Sequence, residues 1–183
     1  MKKLLIAVIT VTLALVLSGC YSIKPYSPIA KQDFSAYKVN VGEFRDKIPE
    51  KFNKVNSFAV PADEMTHAEY IRKAFIEELQ TTGAFSESSQ VTLTADVNKV
   101  YHRGGVDKGY WDFSIIVYSS NGKSLKVEME CEYESVTTTS FIITLGVGTN
   151  LRVMARATNA FPSAVQNLIQ KAMTSPEFKE LLK

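Results

Sequence analysis

Three stretches of the chain alternate between apolar and mostly polar residues, which is the pattern of half-buried β-strands. Their apolar positions are Val91, Leu93, Ala95 and Val97, then Trp111, Phe113, Ile115 and Val117, and finally Leu125, Val127, Met129, Cys131 and Tyr133. A shorter alternation at Tyr37, Val39 and Val41 predicts a first strand, from which residues 42–46 lead away. Because one face of each stretch is largely polar, the pattern predicts an antiparallel sheet that is covered on one side only.

Two other segments have helical spacing. In the first, Thr66 and Glu69 form a capping box and Gly83 marks the end of the helix. Its apolar face consists of Ala68, Ile71, Phe75 and Leu79. The second helix has Pro162 near its predicted start, where proline is tolerated, and Ser175 is the predicted cap of a last short helix. The apolar face of the second helix consists of Ala164, Val165, Leu168, Ile169, Ala172 and Met173.

The turn over residues 119–123 sets the register of the last two strands. A two-residue turn would place the apolar face of one strand beside the charged face of the next, and a shift of one residue reverses this. The burial pattern therefore predicts a three-residue loop with Gly122 in the left-handed conformation. The predicted pairs are Val117 with Leu125, Ile115 with Val127, Phe113 with Met129, and Trp111 with Cys131. In this register Cys131 lies in the core, where a thiol is inert.

These elements follow one another as β-α-β-β-β-α. They predict an α+β fold in which a single antiparallel sheet of about four strands carries two main helices packed on one face. Residues 36–183 are expected to form one domain. Residues 47–62 are mostly polar and predict a loop with a short extended piece at 57–60.

The beginning of the chain has the features of a secretory signal. Lys2 and Lys3 precede an apolar stretch over residues 4–17, which is short for a membrane span, and small residues follow. The sequence Leu17-Ser18-Gly19-Cys20 resembles the bacterial lipobox. This resemblance implies cleavage before Cys20, a diacylglyceryl thioether on its sulfur, and a fatty acyl chain such as palmitate on the freed amine. Residues 1–19 are thus predicted to be a lipoprotein signal peptide.

Residues 20–35 show no periodic pattern and are predicted to be the lipidated N-terminus and a tether to the domain. Each acyl methylene contributes about 0.8 kcal/mol, so several chains would hold the protein on a bilayer. Tyr21 follows the lipidated cysteine. In well-studied Gram-negative bacteria an aspartate at this position retains lipoproteins at the inner membrane. By that resemblance Tyr21 implies export to the outer membrane, with the domain facing the periplasm.

The amino-acid composition excludes several classes of protein. The chain has 183 residues, 45% hydrophobic and 22% charged, which fits a globular domain and excludes a disordered chain or a coiled coil. The formal charge is +2, but Lys2 and Lys3 lie in the predicted signal peptide, so 19 basic side chains remain against 19 acidic ones. This balance argues against nucleic acid as a partner.

Candidate catalytic groups are few. His67 and His102 are the only histidines, one predicted in a first helical turn and the other in a glycine-rich hairpin loop, and both are expected at the surface. Four glutamates share one face of a predicted strand, Glu128, Glu130, Glu132 and Glu134, and are expected to be solvated and countered by lysines and arginines on neighbouring strands. We predict no metal site, no cofactor and no catalytic residue, so the chain is expected not to be an enzyme.

One apolar segment has several interpretations. Residues 135–151 carry no charge, and Phe141 to Gly148 is strongly apolar. The segment could be a buried fifth strand, a loop that contacts a partner, or a loop that enters the membrane. Its two glycines argue against a rigid central strand, and an exposed apolar loop is a typical contact surface. The candidate partner-binding residues are Phe141, Ile142, Ile143, Leu145 and Val147.

The order of lipobox, tether, strand, helix, three strands and helix is similar to that of the YajG-type family of bacterial lipoproteins. The residues that carry this resemblance are Phe44-Arg45-Asp46, Asn121-Gly122, and the stretch from Ala164-Val165 through Glu177-Phe178. The apolar insert around Ile142 departs from the family pattern. The resemblance implies a β-α-β-β-β-α domain on the periplasmic side of the outer membrane, and it assigns no catalytic residues.

Two functions of different classes follow. The first is an accessory envelope lipoprotein that binds another envelope protein through its sheet edge or through the apolar segment. The alternative is an auxiliary lipoprotein of an envelope transport system that binds lipid or glycolipid in a groove between the helices and the sheet. A hydrolase is disfavoured because no nucleophile has a base at a recognisable spacing.

Overall fold

The structure is a computed structural model that describes residues 23, 25–29, 31–49, 65–104, 107–134 and 147–183, with the side chains of the last range described from residue 156 onward. Its elements are β1 (Asn40–Asp46), α1 (His67–Thr81), β2 (Thr92–Arg103), β3 (Lys108–Ser119), β4 (Ser124–Glu134), α2 (Val147–Thr174) and α3 (Pro176–Leu181). None of the helices in this described part is long and apolar enough to cross a membrane.

The four strands form one sheet in the order β1-β2-β3-β4, and the predicted α+β class is confirmed. The pairs β2-β3 and β3-β4 are antiparallel as predicted, whereas β1 and β2 are parallel, so the sheet is mixed. The reason is the helix between them. Because α1 carries the chain back along the sheet, β2 starts at the same end as β1 and runs in the same direction.

The predicted hairpin register is confirmed. Val117 pairs with Leu125, and Trp111 pairs with Cys131. The backbone N–H of Gly122 donates to the Ser119 carbonyl at 3.0 Å, and the φ of Gly122 is 87°. The three-residue loop with a left-handed glycine therefore keeps the apolar faces of β3 and β4 on the same side.

Strand β1 extends further than predicted. Residues 42–46 were expected to lead away from the strand, but they belong to it, and the register shifts between Val41 and Phe44. These two residues are three positions apart, and both are buried. A bulge inserts one extra residue into a strand and so brings both side chains to the core face. A search for strict period-two alternation misses such a strand.

Helix α1 is capped as predicted. Thr66 Oγ1 accepts from the Glu69 N–H at 3.2 Å, and Glu69 Oε2 accepts from the Thr66 N–H at 2.5 Å. Gly83 follows the helix end with a φ of 77°, which favours glycine. The last helix, α3, is also capped as predicted, because Ser175 Oγ accepts from the Phe178 N–H at 3.2 Å.

Helix α2 begins earlier than predicted. It starts at Val147, so Pro162 lies inside the helix and not near its start. Proline removes one backbone hydrogen bond inside a helix, but buried residues flank it on the core face, with Phe161 and Val165 both fully buried. Gly148, Thr149 and Asn150 have low helix propensity, which is why the sequence pattern placed the start too late.

All three helices lie on one face of the sheet, and two of their side chains protect its edges. On β1, Arg72 Nε donates to the Gly42 carbonyl at 2.6 Å and Arg72 Nη2 donates to the Val41 carbonyl at 3.0 Å. On β4, Lys171 Nζ donates to the Glu128 carbonyl at 2.7 Å. Carbonyls occupied in this way are less open to pairing with a further strand.

The segment predicted to be a tether is in part a component of the domain. We call residues 25–34 the strap; residue 30 is not described. Tyr26 is buried, and Phe34 is buried with its ring centroid 5.7 Å from that of Phe178. The Phe34 N–H donates to the Thr82 carbonyl at 3.1 Å. Two buried aromatic side chains in a stretch without periodicity explain why the pattern of hydrophobic residues did not reveal this packing.

Candidate functional site

The predicted lipidation and partner-binding residues lie mostly outside the described residues. These are Cys20, Phe141, Ile142, Ile143 and Leu145. Val147 is the first residue of α2 and not part of a loop, and its side chain is not described. The extended piece predicted at residues 57–60 also lies outside the described residues.

The face of the sheet that the helices leave open carries a lattice of ion pairs. The glutamates of β4 were expected to be countered by lysines and arginines on neighbouring strands. Three of them are countered, but only Lys108 lies on the neighbouring strand β3, since Arg103 belongs to β2 and Lys126 to β4 itself. Lys126 pairs with Glu128 at 2.8 Å, Lys108 with Glu132 at 2.7 Å, and Arg103 with Glu130. These pairs are exposed to solvent, so each contributes little to stability. Their effect is to keep this face hydrated.

Asp112 is the most enclosed charge on this face. Its residue is 7% exposed, and its Oδ2 lies 3.4 Å from Lys99 Nζ and 3.2 Å from Arg103 Nε. A shallow groove of about 550 Å³ opens beside it, with Glu128 and Lys171 among its lining residues. The groove therefore carries charges of both signs.

The carboxylates of the open face are poorly suited to proton transfer. A hydrogen bond from Lys126 holds the pKa of Glu128 below its usual range, and a hydrogen bond from Lys108 does the same for Glu132. A general acid needs the opposite shift, toward neutral pH. In the part of the chain that the structure describes, no group of histidine, cysteine and acidic residues is arranged to hold a metal ion.

His102 lies in β2 and not in the predicted hairpin loop. Its Nε2 is hydrogen-bonded to the Tyr133 hydroxyl, and its ring centroid is 5.0 Å from that of Trp111. The Tyr133 side chain lies over Gly109, where a Cβ would collide with its ring. Burial lowers the pKa of His102 and raises that of Tyr133 to about 12, so both side chains are neutral near pH 7. The hydrophobic pattern does not predict this contact, because it joins two strands that are not neighbours in the sheet.

His67 was expected at the surface, but it is buried. It is 4% exposed, and its ring packs edge-on against Phe161 with a centroid distance of 5.9 Å. As the first residue of α1 it faces α2, a helix that comes from a distant part of the chain. Only the tertiary structure brings the two helices together, so the pattern of α1 alone does not predict that His67 is buried.

Cys131 is buried as predicted. It is 6% exposed, and its Sγ donates to the Ala164 carbonyl at 3.7 Å. Burial raises the pKa of the thiol above its ordinary value. Both effects suppress the reactive thiolate.

We expect native Cys131 to react slowly with a maleimide and to react rapidly once the protein is unfolded in urea. The reason is that the reagent needs an accessible thiolate, which the native structure does not offer. Mass spectrometry of timed samples measures both rates. Rapid modification of the native protein would contradict the burial of Cys131.

Glu78 is a fully buried carboxylate that joins the strap to α1. Its Oε1 accepts from the Tyr26 hydroxyl at 2.6 Å and from the Ile29 N–H at 2.8 Å, and its residue is 0% exposed. Burial, and then the contact with Glu78, raise the pKa of Tyr26 well above its usual range. On the other side, Gln166 of α2 donates through Nε2 to the Ser27 carbonyl at 2.6 Å. The strap thus touches both main helices.

The helical spacing of α1 indicates that Glu78 is buried. Glu78 lies four residues after Ala74 and seven after Ile71, so it belongs to the apolar side of α1 and not to its charged face. A carboxylate at such a position requires polar partners. The strap supplies them.

Aromatic side chains of the strap and of α2 fill part of the space between the helices and the sheet. Tyr26, Phe34 and Phe161 are buried in the helical layer and beneath it. A lipid bound between the helices and the sheet would have to displace these side chains.

Comparisons with known proteins define a fold and no family. No protein-family profile matches the sequence, and no curated protein matches it. A crystal structure of a Xanthomonas campestris protein of the DUF330 family is similar, with a TM-score of 0.51 and 11% identity over 81% of this chain and 95% of that one. At this identity the likeness shows a shared fold alone.

Two further solved structures are similar at TM-scores below 0.5. A hypothetical protein from Chlamydia trachomatis has a TM-score of 0.40 and 8% identity over 77% of this chain and 95% of that chain. A minor lipoprotein from Acinetobacter baumannii has a TM-score of 0.35 and 8% identity over 75% of this chain and 93% of that chain.

Proposed function

We propose that this chain is a lipoprotein of the bacterial cell envelope, anchored by lipid on Cys20 and acting as a non-enzymatic accessory protein. The observation that carries the proposal is the order of features at the start of the chain: two lysines, an apolar stretch over residues 4–17, and Ser18-Gly19-Cys20. Tyr21 in place of an aspartate supports the outer membrane as its location, with the domain in the periplasm.

The chemistry of the described domain supports a role without catalysis. His67 and His102 pack against aromatic rings, Cys131 is buried, and the carboxylates of Glu128 and Glu132 are held ionised by lysines. A catalytic nucleophile needs an activating base within reach, and a general acid needs a raised pKa. The pKa values of Glu128 and Glu132 lie below their usual range, and burial keeps the Cys131 thiol protonated.

Replacement of Cys20 by alanine is expected to abolish lipid labelling and membrane fractionation while the domain still folds. The physical reason is that the acyl chains supply the membrane affinity. Metabolic labelling with palmitate, followed by fractionation, measures both effects, and Cys131→Ala is the matched control that should keep its label. Label that persists on the Cys20→Ala protein would refute the lipobox interpretation.

The partner is proposed to be another envelope protein that the apolar segment contacts. The supporting observation is the uncharged run over residues 135–151 in a chain that is 22% charged. The sheet edges are the other predicted contact, but the carbonyls of Val41, Gly42 and Glu128 already accept from Arg72 and Lys171. The apolar segment is therefore the better supported contact.

If the segment is a contact loop, the triple change of Phe141, Ile142 and Ile143 to serine should leave the melting temperature nearly unchanged and remove cross-links to the partner in intact envelopes. If the segment is core, each large-to-small change should cost about 2–5 kcal/mol. Thermal denaturation and cross-linking measure the two results. A collapse in thermal stability would contradict the proposed contact.

A further inference from the structure

We infer that the strap orients the anchored domain on the bilayer, with the helical layer toward the lipid and the charged open face of the sheet toward the periplasm. The open face then points away from the bilayer. This inference rests on the proposed lipidation of Cys20. It adds an orientation that lipidation alone does not define.

The first step is the length of free chain between the lipid and the domain. Ile23 packs against the hydrophobic core, and it lies three residues after Cys20. An extended chain spans at most about 3.6 Å per residue, so these three residues reach about 11 Å. If residues 20–35 were a free tether, the same rule would allow about 54 Å. The domain is thus held close to the membrane surface.

The second step is the side of the sheet from which the lipid-bearing end emerges. The strap contacts α1 through Glu78, α2 through Gln166, and α3 through Phe178. All three helices cover the same face of the sheet, and a helix is about 10 Å across. An anchor that reaches about 11 Å from this layer cannot place the opposite face of the sheet against the bilayer.

The third step is the character of the two surfaces. The open face carries the ion pairs of Lys99, Arg103 and Lys126, and burying such charges against lipid is costly. Each surface also exposes one large apolar side chain, Ile29 of the strap at 40% and Tyr101 of the open face at 54%. The charge of the open face therefore agrees with the orientation that the short linkage imposes.

The test uses the full-length, lipidated protein in phospholipid vesicles that contain a lipid with a nickel-chelating head group. Ser163 is an exposed residue on the outer side of α2, and Lys126 is an exposed residue on the open face. Each is changed to cysteine in a separate variant and labelled with a nitroxide, and the unchanged protein, with Cys131 alone, gives the background. The measurement is the nickel-induced relaxation of the nitroxide.

We expect several-fold stronger relaxation at Ser163→Cys than at Lys126→Cys. Insertion of a flexible Gly-Ser linker of about a dozen residues between Ser22 and Ile23 should remove most of this difference, because it frees the domain to rotate. Vesicle flotation separates the two proposals. Flotation with equal relaxation at both sites would overturn the orientation alone, whereas a protein that carries no lipid and does not float would overturn the proposed function and the orientation with it.

Discussion

Replacement of Phe161 by alanine is expected to lower the free energy of unfolding by about 3–5 kcal/mol, which is the range for a buried phenylalanine. Phe161 is fully buried where α2 meets the sheet. Its ring centroid lies 4.8 Å from that of Trp111, 5.1 Å from that of Tyr70 and 6.1 Å from that of Phe113. Loss of the ring would leave a cavity at the junction of α1, α2 and β3. Urea denaturation followed by tryptophan fluorescence measures the change.

Tyr101→Ala is the matched control for this experiment. Tyr101 is also aromatic, but it is 54% exposed, and surface substitutions usually change stability by about 0.5 kcal/mol or less. A loss at Phe161 no greater than the loss at Tyr101 would show that α2 does not pack on the sheet in this way.

Replacement of Glu78 by alanine is expected to release the strap and to lower the free energy of unfolding by about 2 kcal/mol. Hydrogen bonds to a charged group contribute about 1.5–3 kcal/mol each, and part of the loss is recovered when the freed donors meet water. The two donors are the Tyr26 hydroxyl and the Ile29 N–H. Limited proteolysis should then cut the strap faster than in the unchanged protein, while urea denaturation gives the change in stability.

Glu77→Gln on the same helix is the control for Glu78. Burial, and then the negative charge of Glu78, raise the pKa of Glu77. A raised pKa means that the folded state disfavours the ionised carboxyl. At pH 7 the uncharged glutamine should therefore leave the free energy of unfolding unchanged or raise it slightly. The strap should stay protected in this variant. If Glu78→Ala left the strap as resistant to protease as Glu77→Gln does, the buried carboxylate would not be what holds the strap.

The sequence predicted the elements whose signals are local. The capping box at Thr66, the left-handed turn at Gly122 and the cap at Ser175 each depend on residues within a few positions of one another. The hairpin register could also be predicted, because β3 and β4 are adjacent in the chain and a one-residue slip would reverse a whole face. The burial of Cys131 followed from that register.

Two of the predictions that were wrong depended on contacts between distant parts of the chain. The parallel pairing of β1 with β2 depends on the path of α1, and the burial of His67 depends on Phe161, which approaches from α2. The late start predicted for α2 came from weak local propensity, which tertiary contacts override.

The strap is the clearest example of a feature that depends on tertiary contacts and not on the local sequence pattern. The sequence by itself determined the order of the strands and of the helices between and after them, since hydropathy and caps are properties of short stretches. Only the tertiary structure decided that Tyr26 and Phe34 fold onto the helices, because the partner of Tyr26 is Glu78, 52 residues further along the chain. A buried carboxylate and a buried hydroxyl each require a hydrogen-bond partner, and the local sequence around one residue does not identify the other. That contact makes most of the predicted tether part of the domain, and, with the proposed lipid on Cys20, it would set how close the domain lies to its anchor.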